Sequence, residues 1–204
     1  MKCNMNYREA YKYDPVPGKE ERKPFPPPHP HYKYQTETIL RCGTSVGSIP
    51  LSCGHGFDGA GVNGAVIEYR PTILASVTLD TSKLIDSTVK IDFSSLISFK
   101  TISDYNYFLR LVFRLSKICD GCPIPLGNWA FEAIQRPGVV DGQIDSAYIQ
   151  ETESFSFSWC GCEECPGCCR YILELVDQQS YGIDFVAVSN ISISALAVGL
   201  KKVK

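Results

Sequence analysis

The sequence predicts an all-β fold: a two-sheet sandwich of jelly-roll or Greek-key type, with about eight strands and an extended N-terminal arm. Three observations predict it. From residue 37 onward, apolar residues recur almost everywhere with period two, the signature of half-buried strands. No segment carries a 3.6-residue apolar stripe over three turns, which a packed helix needs. Glycine, proline and aspartate cluster between the alternating runs, where a β-rich chain turns.

Residues 1–36 form the arm and 37–204 the sandwich. In the arm, Tyr7, Tyr11, Tyr13, Tyr32 and Tyr34 are interspersed with charges and prolines, and Phe25 lies in Pro24-Phe-Pro-Pro-Pro-His-Pro-His31. Successive prolines fix φ, remove donors and favour an extended polyproline path, so about 20 such residues reach roughly 60 Å. Large, amphipathic, rotamer-poor tyrosines suit contact surfaces, which makes these six aromatic residues candidates for contacts with a neighbouring subunit. Cys3, near the tip, has no intradomain partner in view, as an intermolecular disulfide requires.

The runs follow in order. Thr38-Ile-Leu-Arg-Cys42 opens the sandwich. Cys53-Gly-His-Gly-Phe-Asp-Gly then begins a glycine-rich connection, which lacks the lysine and following helix of a phosphate loop. Ile73, Ala75, Val77 and Leu79 alternate with polar neighbours; after a turn expected near Asp86-Ser87, Val89, Ile91 and Phe93 repeat the pattern. Tyr107, Leu109, Leu111, Phe113 and Leu115 face one way, Arg110 and Arg114 the other. The cleanest alternation sets Phe155, Phe157 and Trp159 against Ser154, Ser156 and Ser158. Tyr171, Leu173 and Leu175 begin the next strand, and residues 185–198 supply a last long one. The sequon Asn190-Ile-Ser192 falls inside it and reads as structural.

Charge excludes some classes. Twenty basic and 22 acidic residues leave a net charge of -2, so no basic field attracts nucleic acid or anionic lipid. No apolar run approaches the roughly 20 residues of a membrane-spanning helix, and the first residues lack the apolar core of a secretory signal. The expectation is therefore no nucleic-acid partner and no membrane partner. Catalysis finds no constellation either: His29 and His31 lie in the arm, and His55 has no pocket-forming pattern around it. No catalytic residue and no cofactor is expected.

Sulfur is what remains. Ten cysteines include five within residues 160–169, in Trp159-Cys-Gly-Cys-Glu-Glu-Cys-Pro-Gly-Cys-Cys169. Cys119-Asp-Gly-Cys122, Cys162-Glu-Glu-Cys165 and Cys165-Pro-Gly-Cys168 have the spacing of zinc knuckles. Yet zinc ribbons stand in for a missing core, and this chain has one, so no metal ligand is assigned. Redox catalysis of the thioredoxin kind needs a helix after the Cys-x-x-Cys, and here Pro123-Ile-Pro125 follows. Disulfides are the better reading for Cys42, Cys53, Cys119, Cys122, Cys160, Cys162, Cys165, Cys168 and Cys169. Cys119/Cys122 and the 160–169 group both follow strands, so both fall at one end of the sandwich. The pairing is open.

A resemblance adds to this. Ile39-Leu-Arg-Cys42-Gly43, Val77-Thr-Leu-Asp80, and Phe155-Ser-Phe-Ser-Trp-Cys-Gly-Cys162 running into Cys168-Cys169-Arg-Tyr171 resemble a family of unknown function from clostridial spore-formers. The architecture is also similar to endospore appendage (Ena) subunits, jelly rolls whose N-terminal connectors carry cysteines that link stacked subunits. That resemblance implies a structural subunit assembling into an extracellular or spore-surface filament, a homo-oligomer, with the arm docked on neighbours and Cys3 as the connector cysteine. This arm is longer and holds one cysteine in place of an adjacent pair. The alternative is a zinc- or ligand-binding β-domain of the spore coat or cytosol.

Overall fold

A computed structural model describes residues 33–51, 71–101, 107–135, 150–162 and 167–203. Ten strands run through them: β1 (Lys33–Cys42), β2 (Thr44–Ser45), β3 (Ile49–Leu51), β4 (Thr72–Asp80), β5 (Ile85–Thr101), β6 (Tyr107–Cys119), β7 (Cys122–Gln135), β8 (Gln150–Cys162), β9 (Cys168–Tyr181) and β10 (Ile183–Val203). Eight are long, β2 and β3 are short, and no helix occurs among the described residues. The all-β sandwich of the sequence reading is the observed architecture.

The pairing is nested. β6 pairs with β7, β5 with β8, β4 with β9 and β1 with β10, all antiparallel, as if a long hairpin had been folded over. Two further ladders, β5 with β10 and β6 with β9, join these pairs into sheets. One sheet has the order β1-β10-β5-β8, with β3 beside β10; the other has the order β2-β4-β9-β6-β7.

Side-chain parity explains which sheet face is buried. On β5, Val89, Ile91, Phe93, Ile97 and Phe99 point inward, while Thr88, Ser94 and their parity-mates face out. Leu109, Leu111, Phe113 and Leu115 on β6 meet them from the second sheet, with Tyr171, Leu173 and Leu175 of β9 completing the core. The outer face of the second sheet is tied across three strands by Arg110, 3.0 Å from Glu132 of β7 and 3.6 Å from Asp177 of β9.

The side of the sandwich between β7 and β8 is closed by aromatic rings. Trp129 stacks on Phe157 with centroids 4.0 Å apart, Phe113 on Phe155 at 4.7 Å, and Phe93 lies 5.1 Å from Phe157. The indole of Trp159 covers Gly161, where an added Cβ would strike the ring. At the opposite side Gly43 carries the chain from β1 in one sheet to β2 in the other. Its amide donates to the Ile193 carbonyl at 2.9 Å, and a Cβ there would collide with Ile193 and the Ser76 carbonyl.

Four boundaries differ from the sequence reading. β1 begins at Lys33, inside the segment assigned to the arm, because Lys33 to Thr36 pair with Val203 back to Leu200. The turn expected near Asp86-Ser87 lies at Thr81–Leu84, closed by the Leu84 amide donating to the Thr81 carbonyl at 2.9 Å. Asp86, at φ 51°, instead sits in a bulge of β5 against β10. β7 escapes a period-two reading because Pro123, Pro125 and Gly127 interrupt it and a register shift near Leu126 changes its parity. The last strand runs from Ile183 to Val203 and bulges at Asn190, whose φ of 49° is a conformation asparagine tolerates.

Candidate functional site: a cysteine-rich end

The end of the second sheet is built on a two-residue turn. Asp120 and Gly121 both have positive φ, 55° and 87°, the pattern of a type I′ hairpin whose twist matches the flanking strands. The spacing Cys119-Asp-Gly-Cys122 therefore serves a hairpin, and it places Cys119 directly opposite Cys122. On the other side of β6 runs β9, with Ile118 opposite Arg170, so the next pair along is Cys119 and Cys169. These two are joined in a disulfide with Cα atoms 4.7 Å apart, closing a sequence separation of 50 residues. Cys169 is buried at 2% exposure and also faces Leu79 of β4; its neighbour Cys168 is exposed and faces Asp80.

The first sheet contributes sulfur at the same end. Cys160 and Cys162 share the parity of Ser154, Ser156 and Ser158, so both are exposed on the outer face, opposite Lys90 and Thr88 of β5. Thr81 continues the ladder of β4 and β9 one residue beyond Asp80 and Cys168 here. Its amide donates to the Gly167 carbonyl at 2.9 Å, and its hydroxyl accepts from the Gly167 amide at 3.3 Å. The ladder of β1 and β10 extends past the start of β5 at this end, with Lys33 opposite Val203, so β1 begins here.

Cys42 lies apart, across β10 and β5 from β8, where β1 ends. It lines a pocket of about 410 Å³ together with Gly43, Thr44, Ser76, Val77, Thr78 and Arg170. Arg170 donates to the Ser76 hydroxyl at 3.1 Å.

One ion pair lies beside Cys160 on the outer face. Lys90 Nζ lies 2.8 Å from Asp92, and Ser158 donates to the same carboxylate at 2.5 Å. The bond from Lys90, then that from Ser158, holds the Asp92 carboxyl below the usual aspartate value, and the same pair raises Lys90. Asp80 is lowered by hydrogen bonds from Ser82, first side chain and then backbone, at the head of the β4–β5 turn. Farther along, burial first and the Glu151 and Glu153 carboxylates next push the Tyr107 phenol up.

Among the candidates, the structure thus brings Cys119, Cys122, Cys160, Cys162, Cys168 and Cys169 to one end and leaves Cys42 at an edge. Tyr34 is an exposed residue of β1. Cys3, Cys53, Cys165, Tyr7, Tyr11, Tyr13, Phe25, Tyr32 and the three histidines lie outside the described residues. Among the described residues no group of three or more His, Cys, Asp or Glu is arranged to hold a metal ion. The Asp120-Gly121 turn that organises the site was not singled out from sequence, although Asp-Gly between two strands is a hairpin signal.

Fold and site together define an antiparallel two-sheet sandwich whose one end is dressed with sulfur. The family model described as "Domain of unknown function (DUF4489)" matches residues 36–198, most of the chain, and the protein belongs to that family. A search of curated proteins finds no match to it.

Proposed function

We propose that this protein is a structural subunit that assembles with copies of itself into an extracellular or spore-surface filament, in which disulfides cross-link neighbours and the N-terminal segment docks on an adjacent subunit. The observation that carries the reading is the exposure of thiols on a domain that does not need them. Cys42, Cys122, Cys160, Cys162 and Cys168 are all exposed and unpaired, while a well-filled core and one internal disulfide already stabilise the sandwich. Reactive surface thiols are a liability in a solitary domain, and a resource in a subunit that is to be linked.

Three features support it further. The nested strand order is the one a jelly roll would have, the architecture of the appendage subunits this chain resembles. β1, the first described strand, begins at the end where six cysteines gather, with Lys33 opposite Val203. Finally, β8 offers a long strand edge with one neighbour among the described residues.

The test is electrophoresis of native material with and without reductant, alongside electron microscopy for filaments. Oligomers that collapse to monomer on reduction, and that weaken in Cys3→Ser, are expected. A monomer under both conditions with no filaments sinks the proposal; stoichiometric zinc in anaerobically purified protein with unreactive thiols turns it to a metal-binding domain instead.

A further inference from the structure

The disulfide Cys119–Cys169 does not stand alone in its row. Cys122, Cys119 and Cys169 occupy successive strands β7, β6 and β9 of one sheet at the same level. Residues directly opposite in an antiparallel pair point to the same face, with Cβ atoms roughly 4.5–5.5 Å apart. Disulfides form across Cα separations of about 4.4–6.8 Å, a range that directly opposed pairs satisfy. Cys119 is therefore flanked by two cysteines, each at bonding distance: Cys169, to which it is joined, and Cys122, an exposed thiol.

We infer that this row is an intramolecular thiol–disulfide exchange centre in which Cys119 is shared between Cys169 and Cys122. Cys122, once deprotonated, attacks Cys119 Sγ. The Cys122–Cys119 bond forms, the Cys119–Cys169 bond breaks, and the electron pair leaves on Cys169 Sγ, which takes up the proton that Cys122 released. Neither oxidant nor reductant is consumed. Exposure favours Cys122 as attacking group, because its sulfur is open to solvent and base.

The two states differ in what the surface offers. With Cys119–Cys169 closed, β6 is stapled to β9 and a free thiol is exposed at Cys122. With Cys119–Cys122 closed, the staple spans only the Asp120-Gly121 turn, and the free thiol is Cys169, buried at 2% exposure. Exchange thus withdraws one sulfur from the surface while the number of disulfides stays constant. This holds whether or not the chain assembles into filaments.

The experiment is disulfide mapping of the full chain after acid quench and blocking with N-ethylmaleimide. Because Pro137 follows Arg136, trypsin alone leaves Cys119, Cys122 and Cys169 on one peptide. Trypsin with Glu-C separates peptide 118–132, which holds Cys119 and Cys122, from peptide 165–170, which holds Cys169. A bond between Cys119 and Cys122 then appears as a loss of two hydrogens in peptide 118–132 with neither sulfur blocked. Protein held at mildly alkaline pH before quenching is expected to yield both the Cys119–Cys169 and the Cys119–Cys122 products. Blocking Cys122 with N-ethylmaleimide before that incubation is expected to leave Cys119–Cys169 alone. In Cys169→Ser, oxidised glutathione is expected to close Cys119–Cys122. The inference is overturned if the parent protein never yields the Cys119–Cys122 product. It is equally overturned if folded Cys169→Ser carries glutathione on Cys119 while Cys122 stays free. The parent measurement decides the matter should the variant not fold.

Discussion

β7 and β8 are edge strands of nearly equal length on the same side of the sandwich, and they end very differently. β8 runs in unbroken register against β5 from Gln150 to Cys162, with no proline and no bulge. β7 carries Pro123 and Pro125, shifts register between Leu115 and Ser116 of its partner, and so offers a broken row of amides. Proline and bulges are how natural sheets blunt an edge against pairing with another chain; a straight edge without them accepts a further strand. Two edges backed by the same aromatic core are thus distinguished by backbone chemistry alone, and under the proposed assembly β8 is the edge that pairs.

The largest effect is expected where both edges share support. Phe113 is wholly buried and stacks on Phe155 of β8 while sitting beside β7, so Phe113→Ala should cost about 3–5 kcal/mol in chemical denaturation and loosen both edges together. Next comes the staple. Cys119→Ser removes a cross-link spanning 50 residues and should cost about 2–4 kcal/mol. Adding reductant should lower the parent's denaturation midpoint towards that of the variant and leave the variant's own midpoint almost unmoved.

The comparison of edges itself is broken by proline. Thr152 and Glu153 are consecutive exposed residues of β8, so the amide of one points to β5 and that of the other away. Of Thr152→Pro and Glu153→Pro, one should lose stability through a missing ladder bond. The other should melt close to the parent and fail to form filaments. Filaments from both would remove β8 from the assembly. A proline added to β7 beside Pro123 should leave assembly intact.

The smallest effect concerns acid. The Asp92 carboxyl titrates lower in the folded chain than its ordinary value of 3.8, because Lys90 and Ser158 bind its charged form. A depressed folded value stabilises the fold above pH 3.8 and loses that contribution as pH falls through the lower folded value. Asp92→Asn should therefore lower stability slightly at neutral pH, leave it unchanged below the folded value, and so flatten the acid limb of a stability–pH curve by that same small amount, since the pair is well exposed.

These contrasts also separate what could be read in the residues from what could not. The inward set of β8 and the outward aim of Cys160 and Cys162 follow from parity with Ser154 to Ser158, a local signal. β7 was hidden because proline, glycine and a bulge interrupt the alternation that reveals a strand. The first residues of β1 carry no apolar alternation; they are strand because the tail of β10 lies beside them. The choice of Cys169 as partner for Cys119 depends on β6 lying next to β9, an order set by the whole topology and invisible in spacing.

The nested pairing has a kinetic consequence. The innermost pair, β6 with β7, is joined by a two-residue turn, whereas β1 must wait for β10, the last of the described strands. Closing distant partners costs more chain entropy than closing near ones, so the sandwich should zip outward from Asp120-Gly121. Pulse-labelling hydrogen exchange during refolding should find the amide of Phe113 protected before that of Ile39. The opposite order would mean that the ends of the chain meet first.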